Sequence, residues 1–197
     1  MNPLNTVNGT IIGGFVIAII IAFIFGPTAL NAWSLTVWLH VFAGVIWIGL
    51  LYYFNFVQVP AVNEGLADKD GPGPAAISKY VAPRALLWFR MAAAVTFLTG
   101  LVALEFLEGV GIVNAFTLNG PTSTKIIGLG AWMGTIMLFN VWVLIWPNQK
   151  KILGMVTATD DEIAKAKRTA FLASRTNTLL SIPMLMCMVG WMHGAPI

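Results

Sequence analysis

The chain has 197 residues, of which 58% are hydrophobic and 10% are charged. A water-soluble domain carries about a quarter charged residues, so this composition excludes an ordinary soluble protein and predicts an integral membrane protein. The net charge of +3 does not call for a nucleic-acid partner, because basic loops serve as topology signals in membrane proteins. The single cysteine, Cys187, excludes both an intrachain disulfide and a CxxCH haem-attachment motif.

Five apolar runs are each close to the roughly 20 helical residues that cross a bilayer. In chain order they occupy residues 11–29, 34–57, 85–107, 125–146 and 174–194. None alternates apolar and polar residues as the strands of a transmembrane barrel do. The predicted fold class is therefore all-α, with residues 1–197 forming one bundle of five transmembrane helices. The first run has no Lys or Arg ahead of it, so we expect it to be retained as a span.

Basic residues concentrate in two connecting segments, 58–84 and 147–173. They are Lys69, Lys79 and Arg84 in the first, and Lys150, Lys151, Lys165, Lys167 and Arg168 in the second, with Arg175 just after it. By the positive-inside rule we expect both segments to be cytoplasmic loops, with a cytoplasmic N-terminus and a periplasmic C-terminus in a bacterial inner membrane. In the second loop, Thr159 and Glu162 have the spacing of a capping box, which predicts a helix that begins near Asp160 and continues into the fifth span.

The only two histidines fall in different spans. His40 lies in the second span, roughly 10 Å below Trp33, and His193 lies near the end of the fifth. The predicted topology places both at the periplasmic face. Two imidazoles at one face predict the axial ligands of a single haem b, held without a covalent link. The alternative is that each histidine is an interfacial residue that meets water near the headgroups.

A glycine accompanies each histidine on the same face of its helix. Gly44 follows His40 by four residues, and Gly190 precedes His193 by three. Small residues at these positions give a flat porphyrin room to approach. We expect the second ring nitrogen of each histidine to donate to a carbonyl one turn back along its own helix. Zinc is disfavoured, because two histidines without thiolate or carboxylate partners make a poor tetrahedral site.

A second group of polar residues marks the cytoplasmic ends of the spans. Its members are Arg90, Asn140, Asn148, Arg175 and Asn177. Amides and guanidinium groups are costly in hydrocarbon and mark function more often than chance, which predicts a site for a planar, polar substrate or a quinone head. The alternative is that the arginines reach the headgroups and the amides join helices.

Four stretches carry a family resemblance. In chain order they read WLHVFAGVIWIGLLYYFNFVQVP, PRALLWFRMAAAVTFLTG, FNVWVLIWPNQKKILG and SRTNTLLSIPMLMCMVGWMH. They resemble the membrane domain of bacterial membrane-bound urate hydroxylases, the urate oxidase N-terminal domain family. The resemblance runs over residues 33–193, so the first span lies outside it.

The resemblance implies a membrane bundle that full-length relatives fuse to a C-terminal cytochrome c, which receives the electrons of urate. This sequence has no CxxCH motif and fewer predicted spans than the fused enzymes. We therefore expect the electron partner to be a separate c-type cytochrome or a larger membrane redox complex. His40 and His193 correspond by position to the histidines of the WLH and WMH motifs.

Three hypotheses for function follow. The leading one is a b-type haem electron-transfer protein, or a subunit of a redox complex, with a bis-histidine haem near the periplasmic face. The second is a membrane enzyme that oxidises urate or another purine and passes the electrons to a separate cytochrome c. The third is a haem-free accessory subunit that packs against a larger membrane complex. No catalytic residue is assigned from the sequence.

Overall fold

The computed structural model describes residues 2–26 and 31–194. Within these ranges every regular element is a helix and no strand occurs, which confirms the all-α fold class. In chain order the helices are α1 (Val7–Phe25), α2 (Ala32–Ala67), α3 (Ile77–Glu105), α4 (Gly111–Thr117), α5 (Thr122–Ile152) and α6 (Asp160–His193).

Four of these helices, α1, α2, α3 and α5, are long and apolar enough to cross a membrane. Helix α6 is longer than any span requires, but it is not among the four. Its first half is charged, and its second half contains the polar residues Asn177 and Ser181, which lower its mean hydropathy. Both polar side chains are fully buried in the bundle interior, so neither is exposed at the outer surface of the helix.

The helices extend into the segments that the sequence assigned to loops. Helix α2 continues to Ala67, α3 begins at Ile77, and α5 continues to Ile152. Proline does not interrupt these extensions, because Pro60 and Pro147 lie at the start of a new helical stretch, where a missing N–H is tolerated. The loops that remain are short.

The predicted start of the last helix is confirmed. Helix α6 begins at Asp160 and runs without a break to His193. The backbone N–H of Thr159 donates to Oε2 of Glu162 over 2.9 Å, and the backbone N–H of Glu162 donates to Oγ1 of Thr159 over 3.3 Å. This reciprocal capping box satisfies two donors that the first turn leaves free.

The central helices form two antiparallel pairs, α2 with α3 and α5 with α6. At one end of the bundle, called the amide end, side-chain hydrogen bonds join α2 of the first pair to α6 of the second. Asn55 of α2 donates to Ser174 of α6 over 2.8 Å, and the hydroxyls of Tyr52 and Ser181 lie 2.9 Å apart. The other end is called the histidine end because it holds His40 and His193.

Apolar side chains fill the interior toward the amide end. Trp47, Leu51, Phe89, Met137 and Val141 are each at most 2% exposed and belong to one packed cluster. A second, smaller cluster lies at the histidine end, where the short helix α4 packs against α5. The interior is thus well filled at the amide end and less continuous at the histidine end.

Three of the described helices contain a π-helical stretch: Ile77–Val81 begins α3, and two further stretches lie inside helices near the amide end. These two are Phe54–Gln58 in α2 and Asn140–Ile145 in α5. A π-turn widens the helix and disturbs the regular backbone ladder. A side-chain amide donates to the carbonyl just before each of these two stretches: Asn55 to Leu51 in α2, over 2.8 Å, and Asn177 of α6 to Met137 in α5, over 3.0 Å.

Helix α1 lies apart from the pairs and buries none of its residues. It meets α2 through Phe15, whose ring lies edge-on to Trp38 and Phe42 at centroid distances of 5.3 Å each. The bundle that positions the histidines therefore consists of α2, α3, α5 and α6, with α4 closing one side.

Candidate functional site

An apolar slot separates the two helix pairs at the histidine end. Its volume is about 660 Å³, within the range of roughly 300–1,000 Å³ that is usual for cofactor and small-molecule sites. His40 lines it from α2 and His193 lines it from α6. The rest of the lining is almost wholly apolar and contains no Lys or Arg. The fold thus brings together the two histidines that the sequence predicted as a pair.

His40 is held by the other helix of its own pair. Its Nδ1 lies 2.7 Å from the backbone carbonyl oxygen of Thr96 on α3. Because a carbonyl oxygen only accepts, Nδ1 carries the proton and Nε2 of the neutral ring keeps the lone pair. The expectation of a bond within the histidine's own helix is therefore wrong for His40. The bond crosses the helix interface instead, because the two backbones approach closely there.

Gly100 makes that close approach possible. A β-carbon on residue 100 would lie 2.9 Å from Cε1 and 3.0 Å from Nδ1 of the His40 ring, at the limit below which real contacts of this kind essentially do not occur. A larger residue would displace the ring from the Thr96 carbonyl. Sequence reasoning missed both partners, because it does not say which residues of α3 face His40; a glycine in an apolar span was the one available signal.

His193 is held much less firmly than His40. It is the last residue of α6, and Gly194 follows it with a φ of +83°. His193 is exposed, whereas His40 is partly buried. Among the described residues, no hydrogen-bond partner is found for the His193 ring. The slot therefore has one firmly anchored imidazole and one that is attached only through the end of a helix.

The glycines provide room in the slot, but not all at the expected positions. Gly44 lines the slot beside His40, as its spacing predicted. Gly190 is buried in α6 and is not part of the lining. Gly100 and Gly134 line the slot in its place, and a β-carbon on Gly134 would meet nothing within 4 Å.

The chemistry of the slot fits a haem. Two imidazoles on helices of different pairs form a suitable set of axial donors, and apolar walls suit a flat macrocycle. The described residues contain no group of three or more His, Cys, Asp or Glu side chains that could hold a metal ion. A haem needs fewer protein ligands than such a group provides, because the porphyrin supplies the four equatorial nitrogens itself.

At the amide end, two of the predicted polar residues contact each other. Nδ2 of Asn140 donates to Oδ1 of Asn177 over 2.8 Å, and Nδ2 of Asn177 donates to the carbonyl of Met137 over 3.0 Å. Asn140 is 7% exposed and Asn177 is 0% exposed. These amides therefore join α5 to α6, which is the role that the structural alternative assigned to them.

The other three predicted polar residues have separate partners. The guanidinium carbon of Arg90 lies 3.8 Å from the ring centroid of Trp146, which joins α3 to α5. Arg175 lies 5.3 Å from the ring of Phe171, one turn back in its own helix. Nδ2 of Asn148 donates over 2.7 Å to a carbonyl one turn back in α5. None of the three lines the slot.

Comparison with known proteins gives a family match. The model of a family described as urate oxidase N-terminal matches residues 107–195, just under half of the chain. The match includes the third and fourth of the stretches that carry the resemblance and confirms the resemblance to this family; the first two stretches lie before it. No curated protein matches the chain, and no solved structure matches it.

Proposed function

We propose that the chain is a membrane-embedded electron-transfer protein or redox-complex subunit that binds one haem b. His40 and His193 would hold its iron, each through one ring nitrogen. The match of residues 107–195 to the urate oxidase N-terminal family supports this proposal. The observation that carries this proposal is that the only two histidines line one apolar slot from helices of different pairs. When bound, a haem supplies one-electron redox chemistry.

The residues around the slot have distinct parts in this proposal. The Thr96 carbonyl fixes the His40 tautomer, so that the lone pair of Nε2 is available as a ligand. A hydrogen bond of this kind also raises the basicity of the imidazole, which strengthens it as a donor. The walls around His40 are apolar, and burial is one of the ways in which a protein sets a reduction potential.

The proposed topology has five spans, with the apolar half of α6 as the fifth. The N-terminus lies in the cytoplasm and the C-terminus in the periplasm of a bacterial inner membrane. The support is the position of the basic residues: Lys150 and Lys151 end α5, and Lys165, Lys167 and Arg168 lie in the first half of α6. In this topology the amide end faces the cytoplasm and the histidine end faces the periplasm.

The proposed electron partner is a c-type cytochrome or a larger redox complex that meets the histidine end. The position of the slot supports this, because it lies at the end of the bundle where the exposed His193 is found. An electron that passes between the slot and a partner at the histidine end does not have to cross the packed core at the amide end.

A second candidate function, favoured by the family match, is the oxidation of urate or another purine. A planar anion needs cations and amides, and Arg90 and Arg175 are the two predicted site residues near the amide end that carry a positive charge. Asn140 and Asn177 already bond to each other, so they bind a substrate only by exchanging that bond. Urate-dependent reduction of an added cytochrome c supports this candidate, and a protein that is inert toward urate argues against it.

An absorption spectrum of the detergent-purified chain tests the leading proposal. We expect a Soret band in the oxidised protein and a b-type α-band after reduction. His40→Ala and His193→Ala each remove an axial ligand, so each should abolish the low-spin α-band. Gly49→Ala is the control, because a β-carbon there meets nothing within 4 Å and the spectrum should not change.

Two outcomes contradict the proposal. A wild-type protein without a Soret band, even when it is produced with added haem precursor, excludes the haem and leaves the accessory-subunit hypothesis. A spectrum that responds to only one histidine substitution excludes the bis-histidine arrangement and requires a different second ligand.

A further inference from the structure

The two histidines of the slot differ in how firmly the protein holds them. The His40 ring donates to the Thr96 carbonyl over 2.7 Å and lies against Gly100. His193 ends its helix, is exposed, and is followed by Gly194 at a φ of +83°. Moving the His40 ring breaks an interhelical hydrogen bond, whereas moving the His193 ring requires only that the last turn of α6 opens.

Opening of a helix end has a low free-energy cost compared with opening of the interior. The unequal anchoring of the two histidines therefore affects how easily each could be exchanged as a ligand, because exchange would require the imidazole to move away from the iron. His40 resists this movement because Thr96 and Gly100 belong to a different helix, which would have to separate from α2. The side chain of His193 has no comparable restraint among the described residues.

We propose that His193 is an exchangeable ligand, and that the slot accepts in its place a small neutral molecule that binds through a lone pair, of the class of carbon monoxide. This inference rests on the proposed function. The lining favours a neutral ligand over an anion, because it contains no Lys or Arg to compensate a negative charge. The protein is thereby a binding site for small ligands as well as an electron carrier.

The slot is open on the side where the exchange takes place. Val189 and Met192 line it beside His193, and they are 59% and 63% exposed. A small molecule can therefore reach this side without passing through the packed core. In the exchange, the neutral imidazole of His193 would leave with its lone pair and the incoming molecule would donate its own, so that no electron or proton is consumed.

Carbon monoxide binding to the reduced, full-length protein tests the inference. We expect wild type to bind carbon monoxide at a rate that becomes independent of its concentration, because release of His193 limits the reaction. His193→Ala removes the competing ligand, so its apparent affinity should rise on the order of tenfold or more. His40→Ala should instead lose most of its bound haem during purification.

Three results have distinct meanings. A reduced wild-type protein that shows the bis-histidine spectrum but binds no carbon monoxide overturns the inference while leaving the proposed function intact. Equal behaviour of the His40→Ala and His193→Ala proteins also overturns it, because the two ligands would then be equivalent. Absence of any haem spectrum contradicts the proposed function itself.

A measurement on the haem-free protein provides an independent readout. Nitrogen NMR of the ring nitrogens should show His40 as a single neutral tautomer with the proton on Nδ1, and His193 as an average of tautomers. Gly100→Ala should abolish the single tautomer of His40, whereas the control Gly49→Ala should preserve it. Averaged tautomers at both histidines in wild type would overturn the unequal anchoring.

Discussion

Asn140 and Asn177 show how a polar contact can order an apolar bundle. Each amide is buried, and together they satisfy a donor and an acceptor across the α5–α6 interface. The second bond, from Asn177 to the Met137 carbonyl, lies next to the π-helical stretch of α5. The pair thus fixes the relative position of two helices at the point where one of them departs from regular geometry.

Replacing Asn177 by Leu should destabilise the bundle by about 0.6–2 kcal/mol, the range of interhelical hydrogen bonds in membrane proteins and of unpaired buried polar groups. The change keeps the branched shape and the number of side-chain heavy atoms but leaves Nδ2 of Asn140 and the Met137 carbonyl without their partner. Reversible unfolding in mixed detergent measures the loss. Combined with Asn140→Leu, the two effects should not add.

Asn148→Leu is the matched control, because that amide donates within its own helix and is only partly buried. Its effect should be smaller than that of Asn177→Leu. Strict additivity of Asn140→Leu and Asn177→Leu would show that the hydrogen bond between them contributes nothing to stability.

Single residues of the histidine end could be predicted only in part. His40 and His193 stand out, because a titratable side chain is rare in an apolar run, and Gly44 follows from helical spacing. Gly190 satisfies the same spacing but is buried away from the slot. Thr96 and Gly100 could not be predicted as partners of His40. The sequence of one helix does not determine which face of a second helix packs against it.

The start of α6 is a local motif with a consequence for pH dependence. The backbone N–H of Thr159 donates to Glu162, and Lys151 lies 3.5 Å from Oε1 of Glu162. Both interactions lower the pKa of Glu162 below its ordinary value. A carboxylate with a lower pKa in the folded state adds stability that is complete above the unfolded pKa and is lost as pH falls through the folded pKa.

We therefore expect the first turn of α6 to keep its amide protection from neutral pH down to about pH 5 and to lose part of it at lower pH. Hydrogen exchange at the amides of Thr159, Glu162 and Ile163, which donate within this motif, measures this protection after correction for intrinsic rates. Glu162→Gln should remove the pH dependence. Asp161→Asn, which alters a carboxylate outside the capping box, should preserve it; the same acid response in both variants would contradict the assignment.

The helices themselves were easier to predict than their ends. Long apolar runs determine where α2, α3 and α5 lie, and the Thr159–Glu162 spacing placed the start of α6 correctly. The segment 58–84 was assigned to a loop because it is rich in Gly, Pro and charge. Helix α2 nevertheless reaches Ala67, since polar residues form helices beyond an apolar run as readily as within it.

The orientation of the molecule can be tested with single cysteines in a Cys187→Ala background. A cysteine at Asp70 or Gly154 lies in a connection at the amide end, and one at Asn119 lies in a connection at the histidine end. In intact spheroplasts, a membrane-impermeant maleimide should label position 119 only. Permeabilised cells provide the control for reactivity. Labelling of positions 70 and 154 from outside would contradict the proposed topology and indicate the opposite orientation.

The unequal joining of the two ends implies an order of assembly. The contacts that unite the pairs at the amide end, such as Asn55 with Ser174, involve protein groups alone. At the histidine end, residues of α2 and α6 line opposite parts of the same slot. The four helices can therefore associate first. If a haem binds as proposed, it would join the far ends of the two pairs afterwards, and its loss would loosen the histidine end and leave the amide end intact.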